Sequence, residues 1–206
     1  PLGLGGIKDE VTVDAAIIEM THTKNISRDQ WLYVNFRPAT NRKVRQKIYD
    51  EFQRKASCEP WITFEPPQVH GSNENYLTQL LSHRFVLAPP GNGVDTHRLW
   101  ESLIAGAYPI ALRSSALEPF EALPILFVND YSEVTYDFLK ANLKQLAEKK
   151  KNNAMLYMSY WDQKIKEVQL SFSDRKILGW NEWLKESIEY GLKMIQRRIY
   201  EYSSKK

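Results

Sequence analysis

"RFVLAPPGNGVDTHRLWESLIAGAYPIAL", residues 84–112, carries the clearest structural statement in the chain. "RFVLA" is a short apolar run bounded by two prolines and two glycines, the signature of a buried strand that stops abruptly. The stretch after the glycines opens a mixed helical pattern over about 97–105, and Gly106 stands where that helix should end. "YPIAL", 108–112, is a second apolar strand. A helix between two strands leaves room for a crossover, so the two strands are expected to lie parallel.

The same rhythm extends in both directions. Upstream, "WLYVNF" (31–36) reads as a strand and is followed by a helix over about 42–55, with Val44, Ile48 and Phe52 at four-residue spacing. "WITFE" (61–65) is a further strand and "NENYLTQLL" (73–81) a short helix, while downstream "ILFVN" (125–129) supplies a fifth strand. The fold class expected is α/β, a mostly parallel sheet flanked by helices. "SEVTYDFLKANLKQLAEKK" (132–150) reads as a long helix with Ser132 and Glu133 at its amino end. "AMLYMSYWDQKI" (154–165) has an aromatic and methionine face suited to packing, and a charged helix over roughly 180–202 carries Trp183, Ile188, Leu192 and Ile195. Three regions are therefore expected: an amino-terminal segment (1–30) with no clear pattern, an α/β domain (31–170) and a terminal helical segment (171–206) that packs on this domain or on a partner domain.

Composition narrows the function classes. The chain has 206 residues, 43% apolar and 26% charged, which describes a globular protein, and no run approaches the roughly 18 apolar residues of a membrane span. Lys and Arg outnumber Asp and Glu by only 28 to 25, so local anion binding is allowed and nucleic acid is not selected as a partner. A single cysteine, Cys58, excludes an internal disulfide and any multi-cysteine zinc site. No P-loop, dinucleotide fingerprint or Asp-x-Asp element occurs, and no metal is called for.

In a parallel sheet, ligands occupy the crevice beyond the carboxyl ends of the strands. Two segments fall there. In the loop after the third strand, Gly91, Asn92 and Gly93 can turn tightly and offer backbone N–H groups to phosphate oxygens. Arg98 can add charge-assisted bonds to the same anion, and Glu101, three residues on, suits ribose or sugar hydroxyl donors. The plainer alternative is an Arg98–Glu101 surface pair behind a structural turn. Asp95 is either a helix cap or an acid-base group, and His97 either a ligand contact or a packed helix-start residue. After the first strand, Arg37 and Arg45 are candidate phosphate contacts, and Thr40 or Asn41 a candidate helix cap. "KKK" (149–151) reads as solvated charge.

The linked series "RFVLAPPGNGVDTHRLWESLIAGAYPIALRSS" and "LPILFVNDYSEVT", with "YVNFRPATNRKVRQ" upstream and "MLYMSYWDQKI" downstream, resembles the exostosin-like glycosyltransferases of the broad family 47 type over roughly residues 31–165. That resemblance implies the carboxyl-terminal, nucleotide-sugar-binding half of a GT-B enzyme, with a Rossmann-like fold. In such enzymes the donor lies between two such domains and the glycine-rich loop faces its diphosphate. Carried over, Arg98 becomes a phosphate-side residue, Glu101 a ribose-side residue, and Gly91 and Gly93 the loop positions, while Asp95 and His97 belong to a variant of the pattern.

What the resemblance implies for function is inverting transfer of a sugar from a nucleotide diphosphate sugar to a glycan hydroxyl, with no metal or other cofactor required. Asp95 and His97 are then the candidate bases, unless the base belongs to an amino-terminal acceptor domain not evident in these residues. An excised donor domain, a fragment of a multifunctional enzyme and a reduced transferase all fit the length. A noncatalytic nucleotide-sugar or glycan-binding module and a structural α/β interaction domain are the competing readings. The compartment, cytoplasm or Golgi lumen, follows the parent polypeptide.

Overall fold

The computed structural model describes residue 20 and residues 26–66, 73–150 and 154–173. It divides the chain into two compact units, residues 1–157 and residues 158–206. The expected terminal helix over 180–202 and nearly all of the amino-terminal segment lie outside the described residues.

The first unit is built on β1 (Gln30–Val34), β2 (Ile62–Phe64), β3 (His83–Leu87), β4 (Tyr108–Leu112) and β5 (Leu126–Val128), in the spatial order β2-β1-β3-β4-β5. All four pairings are parallel, with Leu32 opposite Ile62 on one side and Phe85 on the other. The parallel α/β sheet expected from the strand and helix rhythm is therefore present. Leu32, Tyr33 and Val34 in β1, and Phe85, Val86 and Leu87 in β3, are all fully buried. Unbroken apolar runs of this kind are what a sheet covered on both faces requires.

The helices are α1 (Arg42–Ala56), α2 (Asn73–Ser82), α3 (His97–Ile104) and α4 (Tyr136–Lys149). Side-chain alternation along the strands assigns them to faces. Leu32, Val34, Phe85, Leu87 and Ile110 pack with Ile48 and Phe52 of α1 and with Leu139 and Leu146 of α4. Tyr33 and Val86 point the other way, into a core with Leu77, Leu80 and Leu81 of α2 and with Ala105 and Ala107 beyond α3. The sheet is doubly wound: the chain moves outward from β1 to β2, then returns past β1 to β3 and continues to β5. The strand order reverses between β1 and β3, which opens a crevice at their carboxyl ends.

The end of α3 accounts for Gly106. Its N–H donates to the Leu103 carbonyl (3.0 Å) and that of Ala107 to the Ser102 carbonyl (2.8 Å), with Gly106 at φ 78°. This is a Schellman closure in which the left-handed residue favours glycine. The remaining carbonyl oxygens at the ends of α2 and α3 are met by cations. Arg28 donates to Leu80 (3.0 Å), to Ala105 (2.5 Å) and to His83, and Lys150 Nζ donates to Gly106 (2.8 Å). Burial brings Arg28 down to about 10 and also lowers Lys150. The reading of residues 149–151 as solvated charge is thus corrected for Lys150, while Lys149 makes an exposed bond to the Glu121 carbonyl (2.7 Å). Unpaired helix-end carbonyls attract donors, and a lysine stem can lie along apolar surface to reach them.

The start of the long helix also differs from expectation. Ser132 lies in a 3-10 turn, Tyr131–Glu133, capped by Asp130, with Glu133 Oε1 accepting from the N–H groups of Asn129 and Asp130 at 3.0 Å each. The helix proper begins at Tyr136, where Thr135 accepts from the Phe138 N–H at 3.2 Å. Val134 separates the two because it enters the core with an extended backbone. In the second unit, α5 (Met158–Ser173) exposes Ile165 and Val168.

A buried histidine gives the fold a pH dependence. His83 Nδ1 donates to the Gln79 carbonyl (2.8 Å), and Nε2 lies 2.8 Å from the Thr63 hydroxyl, which can donate to it when the ring is neutral. Burial lowers its affinity for a proton below the ordinary histidine value of 6.5. The unfolded chain therefore binds this proton first, so stability present above about pH 6.5 is lost as the pH falls through the folded-state value. Denaturant titrations at pH 8 and pH 5.5 should show that loss, and His83→Gln, weaker at pH 8, should lose less between the two; an equal loss in both proteins would remove the assignment.

Candidate functional site

The crevice at the order reversal is flanked by two loops, residues 35–41 after β1 and residues 88–96 after β3. These are the two segments singled out in the sequence. The second is tied to α1 and to the first loop by side-chain bonds. Arg45, 6% exposed, donates from Nε to the Pro90 carbonyl (3.0 Å), from Nη2 to Pro89 (2.8 Å) and from Nη1 to Arg37 (3.1 Å). Its Cζ lies 5.5 Å from the Phe36 ring centroid. Asn41 Nδ2 adds a bond to the Gly91 carbonyl (2.9 Å), and Tyr131 Oη one to the Ala88 carbonyl (3.2 Å). The reading of Arg45 as a phosphate contact is replaced by this one, because its donors already serve backbone oxygens. Asn41 precedes α1 and makes no side-chain capping bond.

The two glycines differ. A Cβ on Gly91 would sit 3.0 Å from Arg45 Nη2, and the Gly91 N–H is donated to the Gly93 carbonyl at 2.9 Å. Gly91 is thus explained by the packing of Arg45. A Cβ on Gly93 would meet nothing within 4 Å, and Asn92 and Gly93 are exposed at the crest of the loop. Arg37 is exposed on the opposite loop.

Arg98 and Glu101 lie one turn apart on α3, and Tyr76 of α2 stands between them. The Tyr76 hydroxyl donates to Glu101 Oε2 at 2.5 Å, and Arg98 Cζ lies 5.5 Å from the Tyr76 ring centroid. Arg98 Nη2 also donates to Asn35 Oδ1 (3.3 Å), reaching across to the loop after β1. Burial pushes the Tyr76 hydroxyl well above the ordinary phenol range; the Arg98 charge opposes the rise and the Glu101 charge adds to it. Glu101 is 7% exposed, so its carboxylate is largely withdrawn from water. A neighbouring group extends the polar floor: Glu65, just after β2, accepts from Tyr33 Oη (2.8 Å) and Gln79 Nε2 (3.0 Å). Burial, followed by the bond to Glu65, likewise raises the Tyr33 hydroxyl far above its usual range.

Three buried polar atoms along this edge, Arg98 Nε, Thr96 Oγ1 and Ser114 Oγ, have no hydrogen-bond partner among the described residues; a fourth, Arg84 Nε, lies in β3. Buried groups of this kind normally find a partner, and these three lie on the carboxyl-end loops and in the first turn of α3. Thr96, and not Asp95, precedes α3, and it makes no side-chain capping bond. The Asp95 carboxylate accepts instead from Trp100 Nε1, and His97 is exposed in the first turn.

No protein-family model matches the chain, and no curated protein does either. A solved structure described as the GtfA/B complex is similar to it. The similarity covers 70% of this chain and 37% of that one, at 16% identity and a TM-score of 0.34. The chain thus spans little more than a third of that structure's chain.

Among the described residues, no group of three or more His, Cys, Asp or Glu side chains is placed to hold a metal, and no helix is long and apolar enough to cross a membrane. Two residues of the site carried no signal in the sequence. Tyr76 lies 25 positions from Glu101, and Asn35 lies 63 positions from Arg98, on different elements. Only the reversal of strand order brings them together.

Proposed function

We propose that this chain is the donor-binding half of a glycosyltransferase of the exostosin-like, family 47 type. It takes a nucleotide diphosphate sugar and passes the sugar to a glycan hydroxyl with inversion. The observation that carries the reading is the placement of Arg98. Its guanidinium sits at the start of α3 in the reversal crevice, aimed by Asn35 and Tyr76. Negative charge on a departing diphosphate is favoured there by both the guanidinium and the helix amino end. Gly93 and Asn92 at the loop crest, with Arg37 opposite, complete the diphosphate side, and Glu101 serves the ribose. No metal is assigned a part in this scheme.

The acceptor hydroxyl must lose a proton as the sugar transfers, and Asp95 and His97 are the candidate bases on this chain. Titration calorimetry with nucleoside diphosphates should give saturable binding that inorganic pyrophosphate competes away. Absence of any such binding across a panel of bases would reject the reading. In the parent polypeptide, Asp95→Asn and His97→Asn should separate the base from its neighbour. The true base loses about 10²- to 10⁴-fold in transfer rate while donor affinity stays within about threefold. If both variants transfer at the wild-type rate, the base lies on another domain.

A further inference from the structure

We propose that Tyr76 is a positioning residue of this site, acting through Glu101 and Arg98. The inference rests on the donor-binding reading. Glu101 is largely buried and can rotate about several side-chain bonds, so an unsupported carboxylate there would not keep one orientation. The Tyr76 hydroxyl holds Oε2 at 2.5 Å and leaves Oε1 for a second donor. A ribose offers adjacent hydroxyls, which are such donors. The same ring lies under the Arg98 guanidinium, with Cζ 5.5 Å from its centroid. Tyr76 itself is fixed by packing, its ring 6.3 Å from that of Tyr33. One aromatic side chain thereby sets the spacing between the phosphate-side cation and the ribose-side carboxylate, two groups with opposite ligand preferences.

Removal of the hydroxyl alone separates these roles. Tyr76→Phe keeps the ring beneath Arg98 and frees only the carboxylate from its hydroxyl donor. The probes are the best-binding nucleoside diphosphate, its 2′,3′-dideoxy counterpart and inorganic pyrophosphate, titrated calorimetrically into wild type, Tyr76→Phe and Glu101→Gln. For Tyr76→Phe, affinity for the nucleoside diphosphate should fall about tenfold, with less than about a twofold change for pyrophosphate and the dideoxy compound. Equal losses for all three probes, or none for any, would overturn the positioning role while leaving the donor reading in place. If wild type binds none of the probes, the donor reading and the positioning role fall together. Glu101→Gln, which keeps the side-chain volume, repeats the ribose-specific loss and serves if Tyr76→Phe folds poorly.

Discussion

Arg45→Ala should destabilise the first unit by about 3 kcal/mol. The reason lies in what it leaves behind. Three carbonyl oxygens, those of Arg37, Pro89 and Pro90, take their donors from this one guanidinium. A buried acceptor without a partner costs roughly 1–3 kcal/mol, and water entering the emptied volume recovers part of the total. Arg45→Lys should lose about half as much, because one ammonium cannot span carbonyls on two loops in the way a planar fork does. Urea denaturation followed by tryptophan fluorescence and circular dichroism measures both. A loss below about 0.5 kcal/mol for Arg45→Ala would mean that the carbonyls find other donors. The substitution should also weaken ligand binding, since the loop of Pro89–Gly93 would keep only the Asn41 bond to the loop after β1.

This arginine also illustrates which parts of the molecule could be read from residues alone. Strands and helices were legible because their signals are local. "YPIAL" is β4 to the residue, and of Val44, Ile48 and Phe52 at four-residue spacing the last two are buried in α1 while Val44 is half-buried against the same core. The parallel arrangement followed from the length of chain between strands. The break between the 3-10 turn and α4 was hidden because Val134 departs from the helix only to reach a core assembled by other elements. Arg45 carried the same ambiguity as Arg37: a charged residue near a strand end suits a phosphate and a backbone carbonyl equally well. Only three-dimensional placement distinguishes them, with Arg45 beneath the loop and Arg37 exposed above it. Arg98 and Glu101 were visible as a pair from their spacing, but Tyr76, which stands between them, belongs to another helix. Polar residues within a core are constrained by partners far along the chain, and no periodicity records that.

The second large effect concerns Arg98. Arg98→Ala should raise the Kd for a nucleoside diphosphate roughly 30- to 150-fold, the equivalent of about 2–3 kcal/mol for charge-assisted bonds to an anion. The cost to folding should be smaller, about 1 kcal/mol, because the bond to Asn35 is long at 3.3 Å and the buried Arg98 Nε has no partner to lose among the described residues. Binding and stability therefore move by different amounts, and the gap between them identifies a ligand contact as opposed to a structural tie. Arg98→Lys sharpens the test. An ammonium restores the charge but neither the planar guanidinium over the Tyr76 ring nor its fork of donors, so about tenfold weakening should persist. Pyrophosphate should show the same ratios as the nucleoside diphosphate, since Arg98 serves the phosphates and not the ribose. Were Arg98→Ala to bind both probes as the wild type does, the diphosphate would have to sit away from the start of α3. Were it to lose the ribose-containing ligand alone, the cation and the carboxylate would have exchanged the roles assigned to them.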